Sequence, residues 1–297
     1  MDKIYIILAV LAGLILLCII WCLIEPLVLD LDRISMKRAS KDSSLKDLTV
    51  KKISEPTHDT SDSQPDLRVF LFSDLHIECC PITAKRLCNA IRKAHSSAPL
   101  DAVLFGGDII TYPSFAKAGY KYLSTVSSCC KELGIPFYGI SGNHDWMLEN
   151  IADSAGFTDL DNTSVVLTSH KNGSDITLAG LSDSGRRNRV WHSKLPSEST
   201  EPVVLLVHDP DAILHLEPEE RPDYMLSGHL HGGQMKLPFK MEFTVLRRSD
   251  KLPRIGAVQG LYDINGTAVF ISRGLGCNIL PFRFLSLPEA TVVEINL

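Results

Sequence analysis

Five polar motifs in this 297-residue chain carry residues that can do metal chemistry. They are SDLH with Asp74 and His76, GGD with Asp108, GNHD with Asn143 and His144, LLVHD with His208, and GHLH with His229 and His231. Any one of them alone is an ordinary strand-end turn. Together, carboxylate, imidazole and amide oxygen suit borderline divalent ions such as Mn, Fe and Zn, rather than the all-oxygen shells of Ca and Mg. Residues i and i+2 of an extended segment point to one side. That alternation lets Asp74 grip one ion together with His76, and His229 one with His231. A bridging carboxylate can hold two ions about 3.5–4 Å apart, so the chemistry in view is hydrolysis of a phosphate ester over two cations. Core histidines of a structural protein are typically solitary, which argues against a chance gathering.

Elements must bring these ends together. LRVFLFSD, DAVLFGGD, PFYGISGNHD, ITLAGLSD and PVVLLVHD each run from an apolar strand into a polar residue at its C-terminal end, where open α/β sheets bind ligands. ITAKRLCNAIRKAH and AKAGYKYLSTVSSCCKEL have helical apolar spacing and are predicted to cover a sheet; TAVFISRG and ATVVEINL read as further strands. The length and 45% hydrophobic content suit one large catalytic domain with an appendage. A net charge of −5 with dispersed Lys and Arg gives no footprint for a nucleic-acid backbone.

The appendage is N-terminal. Residues 4–24 carry no charge and are long enough to cross a hydrocarbon core, which takes about 20 residues. The stretch exceeds the h-region of a cleaved signal and no small-x-small site follows, so a single-pass transmembrane anchor is predicted. Arg33, Lys37, Arg38 and Lys41 follow it, against Lys3 before it, and the positive-inside tendency leaves the domain in the cytoplasm. The vicinal pairs Cys79–Cys80 and Cys129–Cys130 fit free thiols of a reducing compartment. Residues 25–66 are rich in Ser, Asp, Lys and Pro and read as a polar tether, although the alternation in LVLDL and the short VKKI leave room for an edge strand. All candidate ligands lie after Leu67, so removing residues 1–32 is expected to leave an active domain spanning 67–297.

The D-x-H, G-D, G-N-H-D, H and G-H-x-H series resembles the signature of the calcineurin-like metallophosphoesterases, over about Leu67 to Leu297. SGHLHGGQ, SRGLG, PFR, LPE and the IEP after the anchor are similar to its membrane-anchored bacterial branch. The resemblance implies an α/β fold: a four-layer sandwich of two mixed β-sheets flanked by helices, here preceded by one N-terminal transmembrane helix. It assigns Asp74, His76 and His231 to one metal, Asn143, His208 and His229 to the other, and Asp108 as the bridge. His144 then becomes a general acid toward the leaving group, for which imidazole has a suitable pKa. Many relatives carry an Asp three residues after G-D where this chain has Thr111. The partner of His144 is thus missing, and Asp145 is the candidate replacement. Leu230 replaces a Thr between the last two His ligands and is expected to affect packing alone.

These parts imply in-line attack on phosphorus by a hydroxide bridging two divalent ions, Mn in the first place and Zn or Fe otherwise. Arg186 and Arg187, with Arg189, are candidates to clamp a second phosphate or to form a plain solvated loop, and Asp183 is a candidate supporting residue behind the metals. The segment MKLPFKMEFTVLRRSDKLPR mixes apolar and basic residues as a lipid interface does. The expected substrate is a membrane-associated or amphiphilic phosphate ester. An alternative is the pyrophosphate of a nucleotide-linked lipid precursor, as in bacterial UDP-2,3-diacylglucosamine pyrophosphatases, and a non-catalytic scaffold of the same fold is a third reading.

Overall fold

The computed structural model describes residues 2–39, 49–53, 64–169, 171–183 and 202–297. The first helix, α1 (Asp2–Ile24), is apolar enough to cross a membrane and lies almost wholly outside the folded body. The strands that follow are β1 (Asp30–Lys37), β2 (Val50–Lys52), β3 (Leu67–Phe72), β4 (Ala102–Phe105), β5 (Phe137–Gly139), β6 (Thr158–Asp159) and β7 (Ser164–Thr168). Then come β8 (Asp175–Leu181), β9 (Val203–Val207), β10 (Tyr224–Ser227), β11 (Gly260–Ile264), β12 (Thr267–Ile271) and β13 (Glu289–Asn296). Helices α2 (Ala84–Ser97), α3 (Ala116–Leu133) and α4 (Ile151–Ala155) sit between the early strands.

Two mixed sheets result, ordered β1-β13-β3-β4-β5-β6 and β2-β11-β12-β10-β9-β8-β7. Between them lies an apolar layer in which Leu71, Leu104, Leu178, Leu206, Leu226 and Phe270 are fully buried. Each such side chain contributes about 1.5–3 kcal/mol relative to exposure. The predicted helices cover the outer face of the first sheet, with Leu87, Ile91, Leu123 and Val126 packed on Phe72, Phe105 and Phe137. Thr83 caps α2 by accepting the Arg86 amide at 3.3 Å, and α3 stops at Gly134 in a left-handed conformation. The outer face of the second sheet is covered by short helical turns carrying Ile213, Phe243 and Leu252. The fold is therefore the expected α/β sandwich of two mixed sheets flanked by helices.

The tether reading of 25–66 is corrected over two stretches. β1 is an edge strand running parallel to β13 from Asp30–Glu289 to Lys37–Asn296, and β2 pairs antiparallel with β11. The polar residues that made 30–37 read as solvated have partners: Arg33 meets Glu294 at 2.9 Å and Asp30 meets Arg273 at 2.6 Å. Ile34 and Met36 enter the layer between the sheets. Glu25, the first residue past α1, is 1% exposed. Its carboxylate accepts the backbone amides of Leu285, at 2.8 Å, and Ser286.

Among the described residues past α1, those packed into the folded body thus start at Glu25, ahead of Leu67, and a cut after residue 32 passes through β1. Two hydrogen bonds to an ionised group amount to about 3 kcal/mol, or roughly 6–12 °C at about 2–4 °C per kcal/mol for a domain of this size. Glu25→Ala in the detergent-solubilised full chain is expected to lower the thermal midpoint by that amount. Removal of residues 1–32 is expected to cost more than removal of 1–24. Equal midpoints for the two truncations would restore the tether reading.

Candidate metal centre

Strands of both sheets deliver the candidate ligands to one edge. Asp74 and His76 follow β3, Asp108 follows β4, Asn143 and His144 follow β5, His208 follows β9, and His229 and His231 follow β10. β3, β4 and β5 are neighbours in one sheet, and β9 and β10 are neighbours in the other. After β3, β4 and β10 the chain reverses sharply through the left-handed region. Asp74 (φ 53°), His76 (38°), Asp108 (61°), His229 (68°) and His231 (52°) all have positive φ. Such conformations cost about 1–3 kcal/mol each and persist where surrounding structure enforces them, typically at functional sites. Close approach is equally strict. A Cβ on Gly142 would overlap the carboxylate and amide of Asp108, and one on Gly228 would overlap Asp74.

Two clusters form. Asp74, His76 and His231 make the first, and Asp108, His208 and His229 the second, with the donor atoms of each within 4.8 Å of one another and all six residues buried. His229 and His231 therefore belong to different clusters, which corrects the pairing drawn from i, i+2 alternation. The His231 ring lies 5.0 Å from that of His76, and the His229 ring 5.1 Å from that of His208. Asp108 Oδ2 stands between the clusters, 3.1 Å from His208 Nε2 and 3.4 Å from His76 Nε2.

The donor set fits divalent cations. The buried atoms His76 Nε2, His231 Nδ1 and Asn143 Oδ1 make no hydrogen bond among the described residues, which is costly unless something else meets them. His208 Nδ1 is 2.7 Å from the Gly106 carbonyl and His76 Nδ1 is 2.9 Å from Thr111 Oγ1. With those nitrogens as donors, each Nε2 is left to face Asp108, the orientation that metal-ligating histidines take from a partner behind them. Asp74 is steadied by Ser73 Oγ at 2.5 Å and by the His229 amide at 3.1 Å. Asn143 lies between Gly142, which abuts Asp108, and His144, whose amide donates to Asp108 Oδ1 at 2.8 Å.

Electrostatics set the resting protonation. Burial works against the charge on both Asp108 and His208, yet their mutual attraction prevails: Asp108 is held well below the usual carboxylate range and His208 well above the usual imidazole range. His231 goes the other way, well below the usual value, through burial and the nearby His76 and Arg283.

Asp145 does not replace the missing partner of His144. Its Oδ2 accepts the amides of Asp108 (2.8 Å) and Gly142 (2.9 Å), and its Oδ1 accepts that of Ile109 (2.9 Å). It ties two ligand loops together. Burial and the Asp108 charge push its pKa up to about 7 against the pull of those amides. The His144 imidazole instead has Asn278 Nδ2 at 3.5 Å from its Nε2, and packs edge-on to the His76 ring at 5.0 Å. Asp183 is buried at the end of β8 and its charge acts on His208. Leu230 is buried in the outer apolar layer. Arg186, Arg187 and Arg189 lie outside the described residues.

Sequence reading missed four contributors. Thr111 was noticed only as the loss of an Asp, and its hydroxyl serves His76 instead. Asp209, adjacent to His208 and fully buried, approaches His229 Nε2 at 3.8 Å. Arg247 donates to the His229 carbonyl at 2.7 Å. Asn278 is far along the chain and carries no local signal.

The profile of the calcineurin-like phosphoesterase family matches residues 67–233. The chain is 34% identical over 244 residues to the uncharacterized metallophosphoesterase YkuE of Bacillus subtilis, covering 77% of this chain and 79% of that one. To the uncharacterized metallophosphoesterase YkoQ of the same organism it is 27% identical over 259 residues, with 84% and 91% covered. To phosphodiesterase YaeI of Escherichia coli it is 26% identical over 248 residues, with 79% and 84% covered.

Asp108→Asn is expected to weaken cation binding at both clusters, and Asp74→Asn at one, as metal analysis of the purified variants will read. Retention of two ions by the Asp108 variant would remove it from the bridging position. Cation binding also carries a proton signature. His208 holds a proton above its usual pKa, and an Nε2 that binds a cation must lose it, whereas His231 is already neutral. Titration of Mn into the apo-protein near pH 7 is therefore expected to release protons, with affinity rising as pH rises. Heats that are identical in buffers of different ionisation enthalpy would contradict this.

Proposed function

The chain belongs to the calcineurin-like phosphoesterase family and is a metal-dependent phosphoesterase, and from that premise we propose that it uses two cations to cleave a phosphodiester of a membrane-associated or amphiphilic substrate. The observation that carries the two-cation reading is Asp108 Oδ2, one carboxylate oxygen facing a histidine of each cluster. Asp74, His76 and His231 would hold one cation, Asn143, His208 and His229 the other, with Asp108 shared. Bound there, divalent ions, Mn first and Zn or Fe otherwise, would neutralise the equatorial phosphoryl oxygens and acidify the attacking water.

The chain's own part is placement and proton transfer. Thr111 and the Gly106 carbonyl orient His76 and His208. Asp145 fixes the Asp108 and Gly142 loops against each other. His144 is only partly buried and stands beside His76, and in this reading its imidazole gives a proton to the leaving oxygen. Asn278, beside it, orients the ring. No protein nucleophile is needed. The diester preference is supported by the name of the Escherichia coli relative, and the amphiphilic substrate by α1. The basic residues after α1 favour a cytoplasmic domain.

A panel of p-nitrophenyl phosphate, its bis-ester and a nucleotide-linked lipid pyrophosphate, each with Mn, Zn, Fe and Mg, tests the reading. Mass analysis of the products separates diester cleavage from the pyrophosphatase alternative. Hydrolysis of none of them by protein carrying both ions would favour the scaffold reading. His144→Ala is expected to keep both ions but slow an alkyl diester by roughly 10²–10⁴-fold, the usual contribution of a general acid. The loss should be smaller for p-nitrophenyl leaving groups, which need little protonation. An equal loss on both would reassign His144 to charge stabilisation.

A further inference from the structure

α1 does not hang from the domain on a flexible joint. The amide of Arg283 donates at 3.1 Å to the carbonyl of Cys22, one of the last-turn carbonyls that a helix leaves without an internal partner. Three residues on, Glu25 is clamped by the amides of Leu285 and Ser286. Arg283 is fully buried, and its guanidinium donates to the carbonyls of Ser286 (3.0 Å), Arg273 (2.9 Å), Gly274 (3.0 Å) and Gly276 (2.5 Å). The loop between β12 and β13 is thereby fixed to the end of α1 by charge-assisted hydrogen bonds.

The same loop reaches the metal centre. Ser286 Oγ donates to the His231 carbonyl at 2.8 Å, and the Asn278 amide donates to Gln234 Oε1 at 2.8 Å while its side chain meets His144. Between these two anchored points the loop turns apolar residues outward: Ile279 is 65% exposed, Leu280 55% and Leu285 59%. Leu27 and Val28, beside the end of α1, are exposed as well. A 23-residue helix is about 35 Å long, against a hydrocarbon thickness of about 30 Å. If α1 crosses a bilayer, Ile24 sits at its interface and Leu285, bonded to the next residue, sits beside it.

The geometry points to a lipid-docking surface: Ile279, Leu280 and Leu285, with Leu27 and Val28, enter the leaflet from which α1 emerges and hold the mouth of the metal centre at the headgroup plane. A lipid phosphodiester would then be cleaved with its acyl chains still in the bilayer. The inference rests on the membrane-spanning reading of α1 and deepens the phosphoesterase reading. The rigid continuity of loop and helix is what selects the bilayer over a second copy as the occupant.

The test uses the full chain in phosphatidylcholine vesicles doped with a phosphatidylcholine bearing a diazirine on its acyl chain, irradiated, digested and mapped by mass spectrometry. Adducts are expected on α1 and within 278–286, and not on Val166, which is 57% exposed on edge strand β7. Adducts confined to α1 overturn the docking surface but leave the anchor. An unlabelled α1 overturns both. Loop-to-loop crosslinks between copies in place of lipid adducts assign the patch to self-association and overturn the proposal. This readout needs no turnover, so it is independent of the phosphoesterase reading. In a second arm, the double variant Ile279→Asp, Leu280→Asp is expected to slow hydrolysis of the p-nitrophenyl ester of phosphatidic acid in vesicles by about tenfold or more, through lost local concentration, and soluble bis-p-nitrophenyl phosphate by less than about twofold. Equal losses on both substrates would show that the loop shapes the site instead of docking it.

Discussion

Buried negative charge is the constraint on which this structure turns. Asp74, Asp108, Asp145, Asp183 and Asp209 are each at most 3% exposed, and their charges reach His76, His208, His229 and His231, all buried. Isolated ionised carboxylates do not survive in a protein interior; they must meet cations, hydrogen-bond donors or a proton. Asp145 answers with three backbone amides and, its pKa being pushed up to about 7, partly with a proton. Asp108 answers with His208 and His76, an arrangement that leaves its Oδ2 aimed between two clusters. Divalent cations satisfy the same acids more fully than imidazolium does, because imidazole then serves as a neutral ligand beside the carboxylate instead of competing for a proton.

That concentration of charge explains the backbone around it. Five candidate ligands adopt left-handed φ, and glycines such as Gly142, Gly228 and Gly274 admit no Cβ beside Asp108 and Asp74, costs that a loosely packed scaffold would relax. The sheets prevent relaxation. The ligand turns leave strands whose side chains are buried on both faces, held between the helix-covered layer and the apolar layer between the sheets. Rigidity at the strand ends is therefore supplied by burial along the strands, and the strained turns are where the two sheets spend part of that stabilisation.

How much of this was legible follows the range of each interaction. Strand ends, the two long helices and the seven candidate ligands stand out because apolar runs and polar stops are local in sequence. Alternation alone pairs His229 with His231, whereas the resemblance divides them as the clusters do, because each ring meets a histidine from another strand end, His208 for His229 and His76 for His231. Asp145 was misplaced because its partners are amides 3, 36 and 37 residues away. β1 was read as tether because its polar side chains pair with Arg273 and Glu294, more than 240 residues downstream. Edge strands carry half their apolar signal, and a composition-based reading sees the other half as solvated.

The last of those misreadings changes how the two ends of the molecule relate. A tether would make α1 a device for raising local concentration and nothing else, since forces do not pass through a solvated linker. Glu25, Arg283 and Ser286 form instead a continuous chain of bonds from the end of α1 to the carbonyl of His231. The Arg283 guanidinium also binds the carbonyl of Gly274, whose Cα lies so close to Asp74 that a Cβ there would press on its side chain. A helix that is fixed in a bilayer therefore fixes the azimuth of both ligand turns relative to the membrane. On the docking proposal, substrate orientation then becomes a property of the fold, because the apolar loop and the helix end are bonded to each other and to the ligand turns.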